Sequence, residues 1–416
     1  MTSRPLRLTP LAVLVAMAVG CSSSGPSDQS ALLTALPRAL TSGEQAAIVA
    51  SNRFGLDLFS RVTAAEADAN VFVSPLSITM SLGMVMNGAR GATRDGMAVA
   101  LGFGTLGQSE INTSYRGLLD LLLDLDPTTE LAIANSIWTE QTFPIKPAFL
   151  SDARTFFDAE ARSLDFRSPS AVTTINEWVS QKTRGKIPTI LESIEDYEIL
   201  FAINAVYFKS AWRDRFPVAE TALGPFEALD GRRQNASFMH RDRSTPYYAG
   251  PDFEAVDLWY GNGAFSMTVL LPKPGANVND VARRLDPAAW QALTGGLTAT
   301  KVNLYLPKFR LEYKRRLNRE LEDQGMGLAF SDGADLSGIA GDGPGDLFIS
   351  RVDHKTFVDV NEEGTEAAAV TSTGVGVTSV PVTVTLRVDR PFVFALRERL
   401  SGAILFLGRI VAIPGG

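Results

Sequence analysis

The segment over residues 361–381 constrains the fold of this chain more than any other, because it separates two strand-like runs without itself resembling an ordinary turn. It reads NEEGTEAAAVTSTGVGVTSVP and carries one charge, that of Glu366, within Gly364–Val380. Such residues bury little surface and are too uncharged for a solvated helix, so one interpretation is a flexible linker. The other interpretation is a strand that enters an existing sheet. Alternate residues in Thr365–Val375 are small or β-branched and uncharged, while Glu366 would face the opposite, solvated side.

The first 20 residues have the layout of an export signal. Arg4 and Arg7 precede an apolar run over Leu8–Val19. This run is shorter than the about 20 apolar residues that a membrane-spanning helix needs. The chain's one cysteine, Cys21, follows at the predicted cleavage point. Its surroundings resemble the bacterial lipoprotein box, in which the cysteine becomes the lipid-bearing first residue of the mature protein.

These observations divide the chain into three parts. We predict a signal peptide over residues 1–20, a lipidated Cys21 with a flexible tether over residues 21–40, and one folded domain over residues 41–416. The protein would then be bacterial, exported and held in the cell envelope as a lipoprotein. An ordinary secreted, extracellular protein with an incidental cysteine is the alternative.

The composition excludes several classes of protein. The formal net charge of −7 gives no electrostatic footprint for nucleic acid. One cysteine and two histidines allow neither an intrachain disulfide framework nor a Cys/His zinc cluster, so we expect no metal and no cofactor. No GxSxG, SxxK or GxxxxGK[ST] motif occurs. His354 falls on the apolar face of a strand pattern, and no serine or cysteine near His240 suggests a catalytic partner. We therefore do not expect an enzyme.

Helix and strand patterns alternate irregularly, without a repeat or a long polar linker, which favours one continuous domain. A helix is predicted to start with Ser74 as its cap and Pro75 in its first turn. Residues 174–177 (TINE) form a capping-box pattern that predicts the start of another. The apolar runs Phe201–Phe208 and Phe265–Leu271 have the length of buried strands. Because strands dominate the later part, we expect an α+β fold with large sheets.

Six segments, in order along the chain, are similar to motifs of the serpin family. They are NVFVSPLSI (70–78), FAINAVYFKSAW (201–212), LYLPKF (304–309), FSDGADLSG (330–338), EEGTEAAAVT (362–371) and DRPFVF (389–394). On these motifs the chain is identified as a member of the family, with similarity over residues 41–413. The resemblance implies a single α+β domain with three β-sheets, a set of helices and an exposed reactive-centre loop at about residues 362–381.

The resemblance also implies a mechanism and a set of site residues. A target protease attacks the loop and becomes acyl-linked to it, and the cleaved loop then inserts into the main sheet as a new strand. The hinge of that loop would be Glu362, Glu363, Gly364, Thr365, Glu366, Ala367, Ala368 and Ala369. Ser74, Ser77, Asn204 and His354 match the family's shutter, the polar cluster where the sheet parts. Trp212 and Lys308 match the breach at the sheet's upper opening, where Lys308 is expected to pair with Glu362.

The loop residues predict an inhibitor with a particular class of target. The hinge carries no charged, bulky or proline residue on its inserting face, so it is able to insert. The hinge spacing of the serpin family, applied to this sequence, implies that the attacked bond is Thr378–Ser379, with Val377 and Val380 as alternative positions. These residues are small or β-branched, and Gly364–Leu386 contains no lysine or arginine. We therefore expect a serine protease with a small primary pocket, elastase-like or subtilisin-like, with a cysteine protease as the alternative target.

Two other classes of function remain open at this point. A non-inhibitory serpin that acts as a surface binding protein would have the same fold but would trap no protease. A membrane-tethered hydrolase would need a nucleophile and a base that the sequence does not reveal. The expected partners are a protease and, through Cys21, a membrane, and the chain itself is expected to be a monomer.

Overall fold

The computed structural model of this protein describes residues 31–104, 106–365 and 383–414. Two groups of predicted functional residues lie outside this part of the chain. They are the lipidation site Cys21, and the loop residues Glu366, Ala367, Ala368, Ala369, Val377, Thr378, Ser379 and Val380.

The described residues form helices and strands that alternate along the chain. The helices are α1 (Ser42–Ala65), α2 (Pro75–Met86), α3 (Gly91–Ala100), α4 (Gln108–Asp124), α5 (Pro147–Phe157), α6 (Pro169–Lys182), α7 (Val278–Arg284), α8 (Pro287–Gly295) and α9 (Asn318–Leu321). The strands are β1 (Val71–Val73), β2 (Glu130–Glu140), β3 (Glu160–Leu164), β4 (Leu200–Ala211), β5 (Ala222–Glu227), β6 (Arg233–Ala249), β7 (Phe253–Trp259), β8 (Phe265–Pro272), β9 (Thr298–Pro307), β10 (Phe309–Arg316), β11 (Arg351–Asn361), β12 (Gly364–Thr365), β13 (Thr383–Arg387), β14 (Phe392–Glu398) and β15 (Ile404–Ile410). The expected α+β class is confirmed.

One sheet has six strands in the order β10-β11-β12-β4-β2-β3. Beyond the short β12, β11 pairs directly with β4, and these two strands run parallel from Arg351 opposite Phe201 to Phe357 opposite Tyr207. Strand β12 is antiparallel to both of its neighbours. We call the end of the sheet where β12 lies between β11 and β4 the mouth, and the directly paired stretch of β4 and β11 the seam.

The other strands form one larger hydrogen-bonded sheet. Its order is β1-β15-β14-β8-β7-β6-β9-β13, with β5 paired beside β6. Strand β6 is 17 residues long and pairs with β5, β7 and β9. It therefore joins by hydrogen bonds two of the three sheets that the resemblance implied.

Helix α2 lies in the core and positions part of the site. All of its residues are buried, which agrees with a sequence, PLSITMSLGMVM, that is mostly apolar and carries no charge on any side. Its start follows β1 directly, so the first turn lies under the six-stranded sheet, against the seam. The predicted start is confirmed, because Ser74 is the N-cap residue and Pro75 opens the helix. The Ser74 hydroxyl does not bond the first turn, however, and donates instead to the carbonyl oxygen of Leu405 at 2.7 Å.

The other predicted helix start is wrong. Helix α6 begins at Pro169 with Ser168 as its N-cap, and not at the capping-box pattern over residues 174–177. Thr174 lies inside the helix, where its hydroxyl donates to the carbonyl oxygen of Ser170 at 2.8 Å. A threonine can satisfy its hydroxyl in this way within a helix, so the pattern alone does not identify a helix start.

The last ten residues of the predicted tether, residues 31–40, lie against the domain. The amide of Leu33 donates to the carbonyl oxygen of Asn262 at 2.8 Å, and the guanidinium of Arg399 donates to the carbonyl oxygen of Leu33 at 2.8 Å. Helix α1 then begins with a capping box formed by Thr41 and Glu44. Across the ranges described, no helix has both the length and the apolar character needed to cross a membrane.

Candidate functional site

Gly364 and Thr365 of the predicted hinge already lie in the mouth of the six-stranded sheet. Gly364 lies opposite Asn361 on β11 and Ala211 on β4, and Thr365 continues both ladders. Both residues are buried. A Cβ atom on Gly364 would lie 2.1 Å from the carbonyl oxygen of Ser210, so this backbone approach requires glycine. The hinge therefore enters the sheet as the first two residues of a strand.

Aromatic side chains close the mouth around Thr365. The hydroxyls of Thr365 and Tyr260 are 2.7 Å apart, and both residues are fully buried. The ring of Trp212 stacks on that of Tyr260, with the centroids 4.3 Å apart. The ring of Phe208 packs edge-on against that of Tyr260, with the centroids 5.2 Å apart. The indole nitrogen of Trp212 donates to the carbonyl oxygen of Asn361 at 2.8 Å. Trp212 thus contacts the hinge through Tyr260 and the neighbouring strand through its own nitrogen.

The two glutamates that begin the predicted hinge, Glu362 and Glu363, are held by cations. The ammonium of Lys308 lies 2.8 Å from a carboxylate oxygen of Glu362, and the hydroxyl of Thr221 donates to the other oxygen at 2.8 Å. Arg215 lies 3.0 Å from Glu363. Burial works against the charge on Glu362, but the hydrogen bonds from Lys308 and Thr221 outweigh it and hold the pKa of Glu362 below its ordinary value. The pair that was predicted between Lys308 and Glu362 is present.

A buried polar cluster crosses the seam below the mouth. The Nδ1 atom of His354 lies 2.8 Å from the amide oxygen of Asn204, and the backbone amide of Ser74 donates to Nε2 of His354 at 3.0 Å. The side-chain amide of Asn204 in turn donates to Ser77 and, at 2.7 Å, to Asn135. The structure thus brings together the four predicted shutter residues and adds Asn135.

The hydrogen bonds of His354 define its protonation state. Burial lowers its pKa to about 3, so the imidazole is neutral. Because Nε2 accepts from Ser74, the proton lies on Nδ1 and is donated to Asn204. His354 and Asn204 are register partners on β11 and β4. Any strand that entered the seam would therefore separate them and break this bond.

Buried charges lie at the far end of the seam from the mouth. The guanidinium of Arg351 donates to Glu198 and lies 3.4 Å from Asp353, and Arg316 approaches Asp353 at 3.8 Å. Burial raises the pKa of Asp353 to about 6, although Arg351 and Arg316 oppose the shift. Sequence patterns did not indicate this cluster, because its members come from three separate segments of the chain.

Three further site residues were missed at the level of sequence. Tyr260 lies between β7 and β8, and the sequence on either side of it gives no sign of a contact with the hinge. Thr221 precedes β5 in an exposed stretch. Asn135 offered the one available signal, since it is a polar residue in the middle of the strand-like run LAIANSIW (131–138).

The partners of the two histidines are polar groups other than a serine hydroxyl in the part of the chain that the structure describes. His240 lies 2.7 Å from a carboxylate oxygen of Glu220 and 2.6 Å from the side-chain oxygen of Asn303, and its ring stacks on Tyr305. His354 bonds the Ser74 backbone and Asn204. Within the described ranges neither histidine hydrogen-bonds a serine hydroxyl, and no group of three or more histidine, cysteine or acidic residues could hold a metal ion.

Comparisons with known proteins agree with this architecture. A family model described as "Serpin (serine protease inhibitor)" matches residues 49–413. The leukocyte elastase inhibitor of Sus scrofa is 35% identical over 378 residues, which cover 87% of this chain and 98% of that protein.

Two solved structures resemble the fold closely. The native state of tengpin, a thermophilic serpin, has a TM-score of 0.82 and 29% identity, covering 92% of this chain and 97% of that one. Human thyroxine-binding globulin in complex with its hormone has a TM-score of 0.82 and 26% identity, covering 89% of this chain and 100% of that one.

Proposed function

The chain belongs to the serpin family, and on that premise we propose that it is an irreversible, suicide-type inhibitor of a serine protease with a small primary pocket. The observation that carries the proposal is the position of Gly364 and Thr365, which pair with both β4 and β11 at the mouth. A strand that starts between β4 and β11 can extend further only by entering the seam, where these two strands pair directly.

The chemistry of the proposed inhibition is carried out by the protease. Its serine oxygen attacks the carbonyl carbon of Thr378, the bond from Thr378 to Ser379 breaks, and the freed amine of Ser379 takes up the proton that the serine gave to the protease's base. The protease is then esterified to Thr378. Water would hydrolyse this ester in a normal turnover. Inhibition requires that the loop inserts first and distorts the protease.

Insertion is opposed by the contacts that close the seam. The seven register pairs from Arg351–Phe201 to Phe357–Tyr207 and the bond from His354 to Asn204 must all open. We infer that the shutter residues delay insertion until the loop is cut, and that the contacts of Lys308, Thr221 and Tyr260 fix where insertion begins.

The preference for an elastase-like or subtilisin-like target rests on two observations. The residues around the predicted bond are small or β-branched, and several similar proteins are named leukocyte elastase inhibitor. A cysteine protease remains the second class of target. We further propose that the protein acts outside the cytoplasm as a monomer, anchored through a lipid on Cys21.

The test is a mixing experiment with the chain from Ser22 to Gly416. It is incubated with pancreatic elastase and, separately, with subtilisin, and each mixture is analysed on a denaturing gel and by mass spectrometry. We expect a complex that resists denaturant and a released fragment that begins at Ser379. A protease whose catalytic serine is replaced by alanine is the matched control and should give neither product. Cleavage by every protease of the panel without a complex would instead support a non-inhibitory binding protein.

A further inference from the structure

Tyr260 bonds the side chain of Thr365, the last residue of the hinge that the structure describes. Its hydroxyl lies 2.7 Å from that of Thr365, and its ring is fully buried. The ring is held between Trp212 at 4.3 Å and Phe208 at 5.2 Å. Because these contacts fix the ring, the hydroxyl cannot follow Thr365 if the hinge leaves the sheet.

The turn that carries Tyr260 is also fixed. The amide of Asn262 donates to the buried carboxylate of Asp126 at 3.0 Å, and the side chain of Asn262 donates to the carbonyl oxygen of Leu125 at 2.8 Å. The amide of Leu33 donates to the carbonyl oxygen of the same asparagine. The position of the Tyr260 hydroxyl is therefore set by the domain and not by the hinge.

A hinge that left the mouth would leave the Tyr260 hydroxyl without a partner in a buried site. An unpaired buried hydroxyl is unfavourable, so the bond to Thr365 favours the inserted position of the hinge. The backbone of Thr365 already has the pairing that an inserted strand would continue, opposite Val360 and Ser210. The two hydroxyls thus stabilise the first step of insertion before any protease arrives.

We propose that Tyr260 is a positioning residue for inhibition, which keeps Thr365 in the mouth so that insertion extends an existing strand instead of having to start one. This inference rests on the proposed inhibitory function. The position of Thr365 matters after acylation, because the protease is trapped only if the loop inserts faster than water hydrolyses the ester. Faster insertion lowers the stoichiometry of inhibition, the number of inhibitor molecules consumed for each protease molecule trapped.

The test compares Tyr260→Phe and Thr365→Val with the wild-type chain. Each change removes one of the two hydroxyls and keeps the shape of the side chain. The stoichiometry of inhibition is one plus the partition ratio, the number of inhibitor molecules cleaved without trapping for each protease molecule trapped. A lost hydrogen bond of ordinary strength corresponds to an about two- to tenfold increase in this partition ratio against elastase or subtilisin. We expect that increase in both variants, no further increase in the double variant, and a wild-type value in Thr365→Ser, which keeps a hydroxyl.

Tyr313→Phe is the matched control. Tyr313 is also buried and its hydroxyl donates to Glu66 at 3.0 Å, but it lies on β10, away from the hinge. The Tyr313→Phe variant should have a lower free energy of unfolding than the wild type but the same stoichiometry of inhibition. Wild-type stoichiometry in Tyr260→Phe and Thr365→Val, or effects that add in the double variant, would overturn the proposal.

A second measurement separates this inference from the proposed function. Hydrogen exchange of the amides of residues 364 and 365 is followed in the free protein, with no protease present. Tyr260→Phe should increase exchange there and Tyr313→Phe should not; equal protection in wild type and Tyr260→Phe would overturn the anchoring role. If the wild-type chain formed no complex with any protease, the inhibitory function would fail, and the exchange result would still decide whether Tyr260 holds the hinge.

Discussion

The neutral shutter histidine makes the stability of the native protein depend on pH in a predictable way. His354 is fully buried and its pKa is lowered to about 3, against about 6.5 in an unfolded chain. Below pH 6.5 the unfolded chain binds a proton that the native state does not bind. The contribution of His354 to stability is therefore complete above pH 6.5 and is lost progressively as the pH falls toward 3.

The size of the effect follows from the two pKa values. Between pH 7 and pH 5 the unfolded state gains about 2 kcal/mol from protonation of one imidazole, while the native imidazole stays neutral. Asp353 acts in the opposite direction, because burial raises its pKa to about 6 and its native form takes up a proton in the same range. The pH dependence of the wild-type protein alone would therefore mix two opposing contributions.

A comparison of variants isolates the histidine. Urea unfolding, followed by tryptophan fluorescence, is measured at pH 7 and pH 5 for wild type, His354→Gln and His240→Gln. His354→Gln should be destabilised at both values, since it disrupts the bonds to Ser74 and Asn204, but its deficit relative to wild type should shrink by about 2 kcal/mol at pH 5. The control His240→Gln replaces the other of the two histidines. Because it keeps His354, its free energy of unfolding should still fall by the contribution of His354 between pH 7 and pH 5.

Nuclear magnetic resonance provides a direct check that needs no destabilised variant. The chain has two histidines, so the spectrum of His240→Gln assigns the imidazole signal of His354. That signal should show no titration between pH 8 and pH 5. A midpoint near pH 6.5 for His354, or a stability deficit of His354→Gln that is the same at both pH values, would refute the reasoning.

The remaining predictions concern the loop and its root. Thr365→Arg would place a charge at a fully buried position in the mouth, so the hinge should stay out and the protein should be cut on a gel without trapping protease; undiminished inhibition would contradict insertion. Thr378→Arg should create inhibition of trypsin, measured as loss of trypsin activity, and a variant that trypsin ignores would show that the bond lies elsewhere. Cleavage of the loop by a protease should raise the midpoint of thermal unfolding, and an equal or lower midpoint would argue against a new strand. Lys308→Ala should cost about 1 kcal/mol or less at pH 7, because Lys308 is partly exposed. The cost should shrink as the pH falls below the ordinary glutamate pKa of 4.5 and through the lowered pKa of Glu362, because protonation removes the charge that Lys308 pairs with; an equal cost at pH 7 and pH 3 would contradict the pairing.

Much of the fold could be predicted because it is encoded locally. The alternation of Val352, His354, Thr356 and Val358 indicates a strand, and β11 has that strand with His354 buried. The mostly apolar, uncharged sequence of α2 is typical of a buried helix. The shutter and the pair of Lys308 with Glu362 were identified through the resemblance to a family, and the structure places these residues in contact.

The parts that could not be predicted depend on contacts distant in sequence. Tyr260 and Thr365 are 105 residues apart, and no local pattern links them. Asn135 joins the shutter only because β2 pairs with β4 in a register that places it opposite Asn204. The start of α6 was misplaced because Ser168 and Thr174 are both acceptable helix caps, and packing decides between them.

The direction of the strands in the six-stranded sheet gives the proposed insertion a thermodynamic bias. At the seam β4 and β11 run parallel, whereas β12 is antiparallel to each of them. A strand that continued β12 along the seam would exchange one parallel ladder for two antiparallel ladders. Antiparallel pairing is slightly more stable per residue, and the number of ladders doubles. Withdrawal of the inserted strand would lose both the antiparallel pairing and the additional ladder. A completed insertion would therefore be hard to reverse and could do mechanical work on whatever is attached to the loop.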